Sequence, residues 1–159
     1  ITSRVRKMQP IRYVTIHHDG MPRFTKTGYT EVAARIELIR TAHLKRDGGG
    51  RWGDIGYHFV IDGAGRVWEA RSLSYQGAHV KNRNEGNIGV LCLGNFEEQK
   101  PTAKQIAALE QFVRGLRGRY GISSSRVLTH QEWDGAATKC PGRNLQARVV
   151  VSRAARQFG

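Results

Sequence analysis

The stretch Ile11-Arg12-Tyr13-Val14-Thr15-Ile16-His17-His18 decides how the chain is read. β-branched and aromatic residues dominate 11–17, which predicts a strand that ends on a histidine where the polar loop 19–27 begins. Two further runs match it. Residues 87–93, Asn87 followed by Ile-Gly-Val-Leu-Cys-Leu, read as a buried strand, and 126–129, Arg-Val-Leu-Thr, as a short strand leading into His130. Residues 57–61 and 66–69 flank Asp62-Gly63-Ala64-Gly65, a hairpin signal. Helical spacing appears between the strands. Val32, Ile36 and Ile39 predict a helix over 30–46, with Thr30 as N-cap and Gly48 as its stop. Ile106, Leu109, Val113 and Leu116, with Phe112 beside them, form a second stripe. It starts at a Thr102-x-x-Gln105 capping box after Pro101 and ends at Gly121. A basic helix over 144–157 carries Leu145 and Val149 inward. Interleaved strands and helices predict the α/β class, with a central mixed sheet flanked by about three helices and a site at one edge of the sheet.

The length of 159 residues fits one domain over 1–159, enough to bury roughly 70% of the unfolded surface without staples. The apolar runs are too short to cross a bilayer, so no membrane span is expected. The chain begins at Ile1 with no apolar signal-peptide core, as expected of a processed or excised piece. Twenty-six Lys and Arg against thirteen Asp and Glu give a formal charge of +13. A field of that sign suits nucleic acid, an anionic membrane or an anionic cell-wall polymer, and composition does not choose among them. Two cysteines are too few for a disulfide framework. Cys92 lies in an apolar run and reads as a small core residue, whereas Cys140 sits between Lys139 and Pro141, where a basic neighbour favours the thiolate.

His17 and His130 each end a strand, the place where α/β proteins assemble sites. Cys140 follows His130 by ten residues. Two imidazoles and a thiolate suit zinc, and three protein ligands leave the fourth tetrahedral position for water or substrate. On spacing alone, each histidine reads more readily as a surface or satisfied core residue than as a ligand. The glycine-rich segment 47–56 has no Gly-Lys-Ser/Thr ending, so it is not a phosphate loop.

Six short motifs occur in order: Val14-Thr15-Ile16-His17-His18, Asp54-Ile55-Gly56-Tyr57-His58-Phe59 through Asp62-Gly63, Gly77-Ala78-His79, Asn87-Ile88-Gly89-Val90, Thr129-His130-Gln131-Glu132, and Thr138-Lys139-Cys140-Pro141-Gly142. Together they resemble the type 2 N-acetylmuramoyl-L-alanine amidase family, which includes phage T7 lysozyme and the peptidoglycan recognition proteins. The resemblance spans about 11–145.

The resemblance implies one Zn2+ ion held by His17, His130 and Cys140, with His18 outside the ligand set. Members that only bind often lose the cysteine, so Cys140 implies an active enzyme that cuts the amide between the lactyl group of N-acetylmuramic acid and L-alanine. Tyr57 takes the place of the family's catalytic tyrosine, a phenol able to hydrogen-bond the oxyanion. Thr138 stands where phage enzymes carry lysine and many recognition-protein amidases carry threonine. It can donate a hydrogen bond but brings no charge, and Lys139 is displaced by one position. His79 matches a groove histidine that contacts the muramyl-peptide. Asn87 stands where many members carry serine and reads as a strand-start residue or a substrate contact. Trp52 reads as an exposed groove wall or as a packing anchor for its loop. The expected partners are peptidoglycan, muropeptides and anionic cell-wall polymers. The chain is expected to be monomeric, with no nucleic-acid partner, and to act outside the cell, in the periplasm or as a phage-encoded lysin. The alternative is a non-catalytic peptidoglycan-binding module. Cytoplasmic anhydro-muropeptide amidases usually carry Asp as third ligand and lack the tyrosine motif, so Cys140 and Tyr57 speak against them.

Overall fold

The computed structural model describes residues 5–46 and 52–159. Its elements run β1 (Tyr13–His18), α1 (Tyr29–Lys45), β2 (Phe59–Ile61), β3 (Val67–Glu69), β4 (Asn87–Cys92), α2 (Ala103–Tyr120), β5 (Val127–Thr129) and α3 (Arg143–Ala154). The sheet order is β3-β2-β4-β1-β5. Strand β1 lies between β4 and β5, parallel to both, and β2 is parallel to β4. Only β2 and β3 run antiparallel, as the hairpin signal requires. The expected mixed sheet flanked by three helices is therefore the architecture found. No helix of the described residues is long and apolar enough to cross a membrane.

Alternation along the strands divides the side chains between two cores. Val14, Ile16, Ile88, Val90 and Cys92 face Ile106, Leu109, Val113 and Leu116 of α2 and Leu145 and Val149 of α3. On the opposite face, Val60, Leu91 and Leu93 pack with Val32 and Ile39 of α1. The two histidines that end β1 obey the same alternation. His18 shares the parity of Val14 and Ile16, and its ring stacks on Phe96 at 6.3 Å between centroids. His17 shares the parity of Thr15 and turns to the α1 side, against Tyr57 at 5.0 Å.

Four helix boundaries differ from expectation. Thr30 is not the N-cap of α1. The chain enters extended at Gly28, whose carbonyl takes the Val32 N–H, and Thr30 lies inside the helix. The predicted stop Gly48 lies outside the described residues, and the helix ends at Lys45 with Arg46 as C-cap. The third helix starts one residue early, at Arg143, and ends at Ala154.

At the start of α2 only half of the capping box forms. Thr102 Oγ1 accepts from Gln105 N–H, and Gly121 closes the helix in the left-handed conformation at φ 64°. The Gln105 side chain does not return to Thr102. It is 1% exposed, and its amide donates to Ile61 O at 2.9 Å and Leu93 O at 3.2 Å. Ile61 O, at the end of β2, also accepts Leu93 N–H at 2.9 Å, so one helix residue ties α2 to the end of β2 and to the residue that follows β4.

Replacing Gln105 with Ala removes both donors from a water-free position. The expected loss is about 1–3 kcal/mol in urea denaturation, against about 0.5 kcal/mol or less for exposed Gln111→Ala. Equal stability of the two variants would show that the sheet ends do not depend on this amide.

Candidate metal centre

The carboxyl ends of β1 and β5 bring His17 and His130 together, with ring centroids 4.7 Å apart. Cys140 comes from the loop before α3. The loop is pinned to the turn after β5 by Gln131 N–H donating to Cys140 O at 2.9 Å. Its close approach to the sheet requires Gly142, which has φ +87° and where a Cβ would fall 2.5 Å from the backbone of Phe96. One donor atom each from His17, His130 and Cys140 lies within 4.8 Å of the others. His17 Nδ1 and Cys140 Sγ lie 3.5 Å apart. Tetrahedral zinc with ordinary Zn–N and Zn–S bonds would set such a pair about 3.6 Å apart, so this donor set fits a metal ion.

The charge state of the cluster points the same way. Burial first, then repulsion from His79 and His130, pulls His17 well below the usual imidazole range. Burial lowers His130 as well. Burial pushes the Cys140 thiol up to about 12, opposed by the His18 N–H and reinforced by Asp19. The expectation that a basic neighbour would favour the thiolate is not met. Lys139 is exposed, and the favourable contact is the His18 N–H at 3.4 Å from Sγ. The site therefore offers unprotonated imidazoles and a thiol that ionises only against a cation. Both cysteines are free, and Cys92 is buried in the core as expected.

His130 and Cys140 line a groove of about 680 Å³ together with Tyr57, Thr138, His79 and Trp52, whereas His17 is buried beside them. Burial raises the Tyr57 phenol far above its ordinary value, so at neutral pH it keeps its proton and can only donate it in a hydrogen bond. Thr138 Oγ1 accepts from Cys140 N–H at 3.1 Å, which leaves its own O–H free to donate. Trp52 is half-buried rather than exposed. It meets His43 edge-on at 4.8 Å with Arg46 over its other ring contact at 5.0 Å, so it is at once a packing anchor and a groove wall. The other residues of its loop, 47–51, lie outside the described residues. Asn87 does not reach the groove. It is fully buried, with Oδ1 accepting from Thr15 Oγ1 and Nδ2 donating to Arg83 O, so the structure gives it strand-start contacts and no path to a substrate.

Several groove residues escaped the sequence reading. Asp19 is buried against Arg35 at 3.3 Å, and burial raises its pKa despite that partner. His43 Nδ1 accepts Gly56 N–H and so fixes the approach to Tyr57. Arg71, 5% exposed, donates to the carbonyls of Trp52, Asp54, Ile55 and Gln76 and clasps the segment that carries Trp52 and Tyr57. Nothing in the local pattern announced these roles, because each depends on a partner distant in the fold.

With this geometry established, the comparisons fall into place. The family described as N-acetylmuramoyl-L-alanine amidase matches residues 7–143. The chain belongs to this family. Among its relatives, peptidoglycan-recognition protein SC2 of Drosophila melanogaster is 32% identical over 148 residues, covering 91% of this chain and 75% of that protein. Human N-acetylmuramoyl-L-alanine amidase is 30% identical over 138 residues, 86% of this chain but only 23% of the human protein. The amidase LysC from Clostridium intestinale superposes with a TM-score of 0.73 at 25% identity, covering 92% of this chain and 88% of that one. The complex of tracheal cytotoxin with the recognition-protein ectodomains LCa and LCx matches at 0.78 and 29% identity, covering 93% and 85%. The amidase fold thus occurs in these relatives both in enzymes and in recognition proteins.

Burial also gives the amidase fold a pH signature. His18, His43 and His58 fall to about 4 and His79 to about 3, burial being the largest cause in each. In the unfolded chain they return to 6.5, so the unfolded state binds more protons below that value. Their contribution to stability is full above pH 6.5 and is lost as pH falls toward 4. The denaturation midpoint of the metal-free chain should hold steady near neutrality and drop steeply across that window. A flat midpoint there would show these rings protonate as readily folded as unfolded.

Proposed function

We propose that this chain is a zinc-dependent N-acetylmuramoyl-L-alanine amidase, hydrolysing the bond between the lactyl group of N-acetylmuramic acid and the L-alanine of the stem peptide. The observation that carries this reading is the convergence of His17, His130 and Cys140, two of which line the groove that also holds Tyr57. His17, His130 and Cys140 would hold a zinc ion, which would supply Lewis-acid polarisation of the amide carbonyl and an acidified water. The chain's own residues supply the rest. Tyr57, fixed as a neutral phenol beside His17, donates a hydrogen bond to the oxygen on which charge develops. Thr138 offers a second donor from the same loop as Cys140. His43 and the Arg71 clasp hold the groove wall without entering the chemistry.

The rival is a module that binds muropeptides without cutting them, the use suggested by the cytotoxin complex of the LCa and LCx relatives. The intact ligand trio and Tyr57 favour the enzyme. The domain proposed for this activity is the whole of 1–159, acting in the cell envelope or as a phage lysin. The +13 charge has a use there. A second cavity of about 740 Å³, bordered by Arg6, Arg12 and Arg83, adjoins the groove through Asn82 and Asn84. It suits an anionic wall polymer, held less tightly as salt rises.

The decisive assay is mass spectrometry of the products from two peptidoglycans that differ in stem peptide. Free stem peptides beginning at L-alanine should accumulate, vanish on thorough chelation and return with added zinc. Tyr57→Phe should lower kcat by about 10²–10³-fold while zinc still binds. Binding without any stem release would favour the recognition module, and release indifferent to chelation would remove the metal from the account.

A further inference from the structure

His79 was expected to face the substrate, yet most of its ring is enclosed. It is 8% exposed and seated where two glycines leave room for it. A Cβ on Gly77 would fall 2.6 Å from its Cδ2, and a Cβ on Gly89 2.7 Å from the same atom. Both glycines belong to the ordered motifs, Gly77-Ala78-His79 and Ile88-Gly89-Val90, so these motifs build a seat for one imidazole.

Both ring nitrogens are engaged there. Nε2 lies 3.0 Å from the carbonyl oxygen of Asn87, and Nδ1 lies 2.9 Å from Nε2 of His17. A carbonyl only accepts, so His79 Nε2 carries the hydrogen. Enclosed between Gly77 and Gly89 with only a neutral carbonyl at Nε2, the ring sits uncharged, which leaves Nδ1 as a bare acceptor. The hydrogen between the two rings must then belong to His17 Nε2. In neutral His17 the remaining lone pair sits on Nδ1, the nitrogen 3.5 Å from Cys140 Sγ. The backbone carbonyl at the start of the relay belongs to a residue whose own side chain is anchored on both sides. Asn87 accepts from Thr15 Oγ1 at 2.9 Å and donates to Arg83 O at 2.7 Å, and Trp133 Nε1–H in turn donates to Thr15 Oγ1 at 2.9 Å.

We propose that His79 is a positioning residue which, braced by the Asn87 carbonyl, fixes His17 as its Nε2–H tautomer and so aims the Nδ1 lone pair at the metal position. The proposal rests on the metal reading above and deepens it. It gives Asn87 a role through its backbone rather than its side chain, and it explains two glycines as space for a ring. Metal-ligating histidines depend on such partners, and losing one typically costs 10–100-fold in metal affinity. A second imidazole in that place lets the orienting contact reach His17 from a carbonyl that does not itself touch the ligand.

Two measurements test this. Long-range 1H–15N correlation spectra of the metal-free wild-type chain report each histidine tautomer directly. His17 and His79 should both appear as Nε2–H forms. A His17 that is Nδ1–H, or that averages between tautomers, would overturn the proposal. The spectrum needs no metal, so its failure and failure of the metal reading are distinguishable. Zinc affinity by competition with a chromophoric chelator is the second readout. His79→Leu removes acceptor and donor and should weaken zinc about 10–100-fold, whereas His79→Gln keeps one of each and should recover most of that loss. Leu and Gln variants both within twofold of wild type would also overturn it. If the Leu variant does not fold, the wild-type tautomers and the Gln affinity still decide the matter.

Discussion

The site depends on the alternation of side chains along β1, held in register between β4 and β5. Val14 and Ile16 are sealed into the α2–α3 core at 0% exposure, which leaves the strand no freedom to slip by one residue. That constraint turns His17 to the α1 face, beside Tyr57 and His130, and sends His18 to Phe96. A slip of one position would exchange the two histidines and place the wrong ring against Cys140. The parallel pairing with β5 sets His130 at the same end of the sheet. The Gln131–Cys140 backbone bond then brings in the third donor.

Around this frame the protein removes charge rather than supplying it. Burial lowers the pKa of His17, His43, His79 and His130, and the thiol ionises only with difficulty. The nearest carboxylate, Asp19, is itself buried and committed to Arg35. A buried cluster of lone pairs and one thiol is a good arrangement for zinc. Backbone nearby and at the sheet ends is heavily pinned, by Arg71 on four carbonyls and by Gln105 on two.

Much of this was legible beforehand. The strands at 13–18 and 87–92, the hairpin and the α2 stripe could be read because hydrophobic period and turn chemistry are local properties. The parity argument for His17 was also present in the sequence, since Val14 and Ile16 mark the core face. Boundaries were less legible. Thr30 has the chemistry of a cap, but the chain enters α1 two residues earlier, and Gln105 abandons its capping role for carbonyls that only the folded sheet presents. The functions of Asn87 and His79 were obscure for the same reason. Their partners lie at the far side of a tertiary contact, and His79, besides lining the groove, is hydrogen-bonded to His17. Arg71 left no trace in sequence because its four acceptors are backbone atoms.

The central claim is that one zinc ion sits on His17, His130 and Cys140. X-ray absorption at the zinc edge, on chain loaded with a single equivalent and freed of excess, tests it most directly. The account predicts one tightly held ion with two imidazole nitrogens and one sulfur in its first shell, the sulfur absent in Cys140→Ser. A wild-type chain that retains no zinc at one equivalent, or an ion whose shell contains no sulfur, would contradict it.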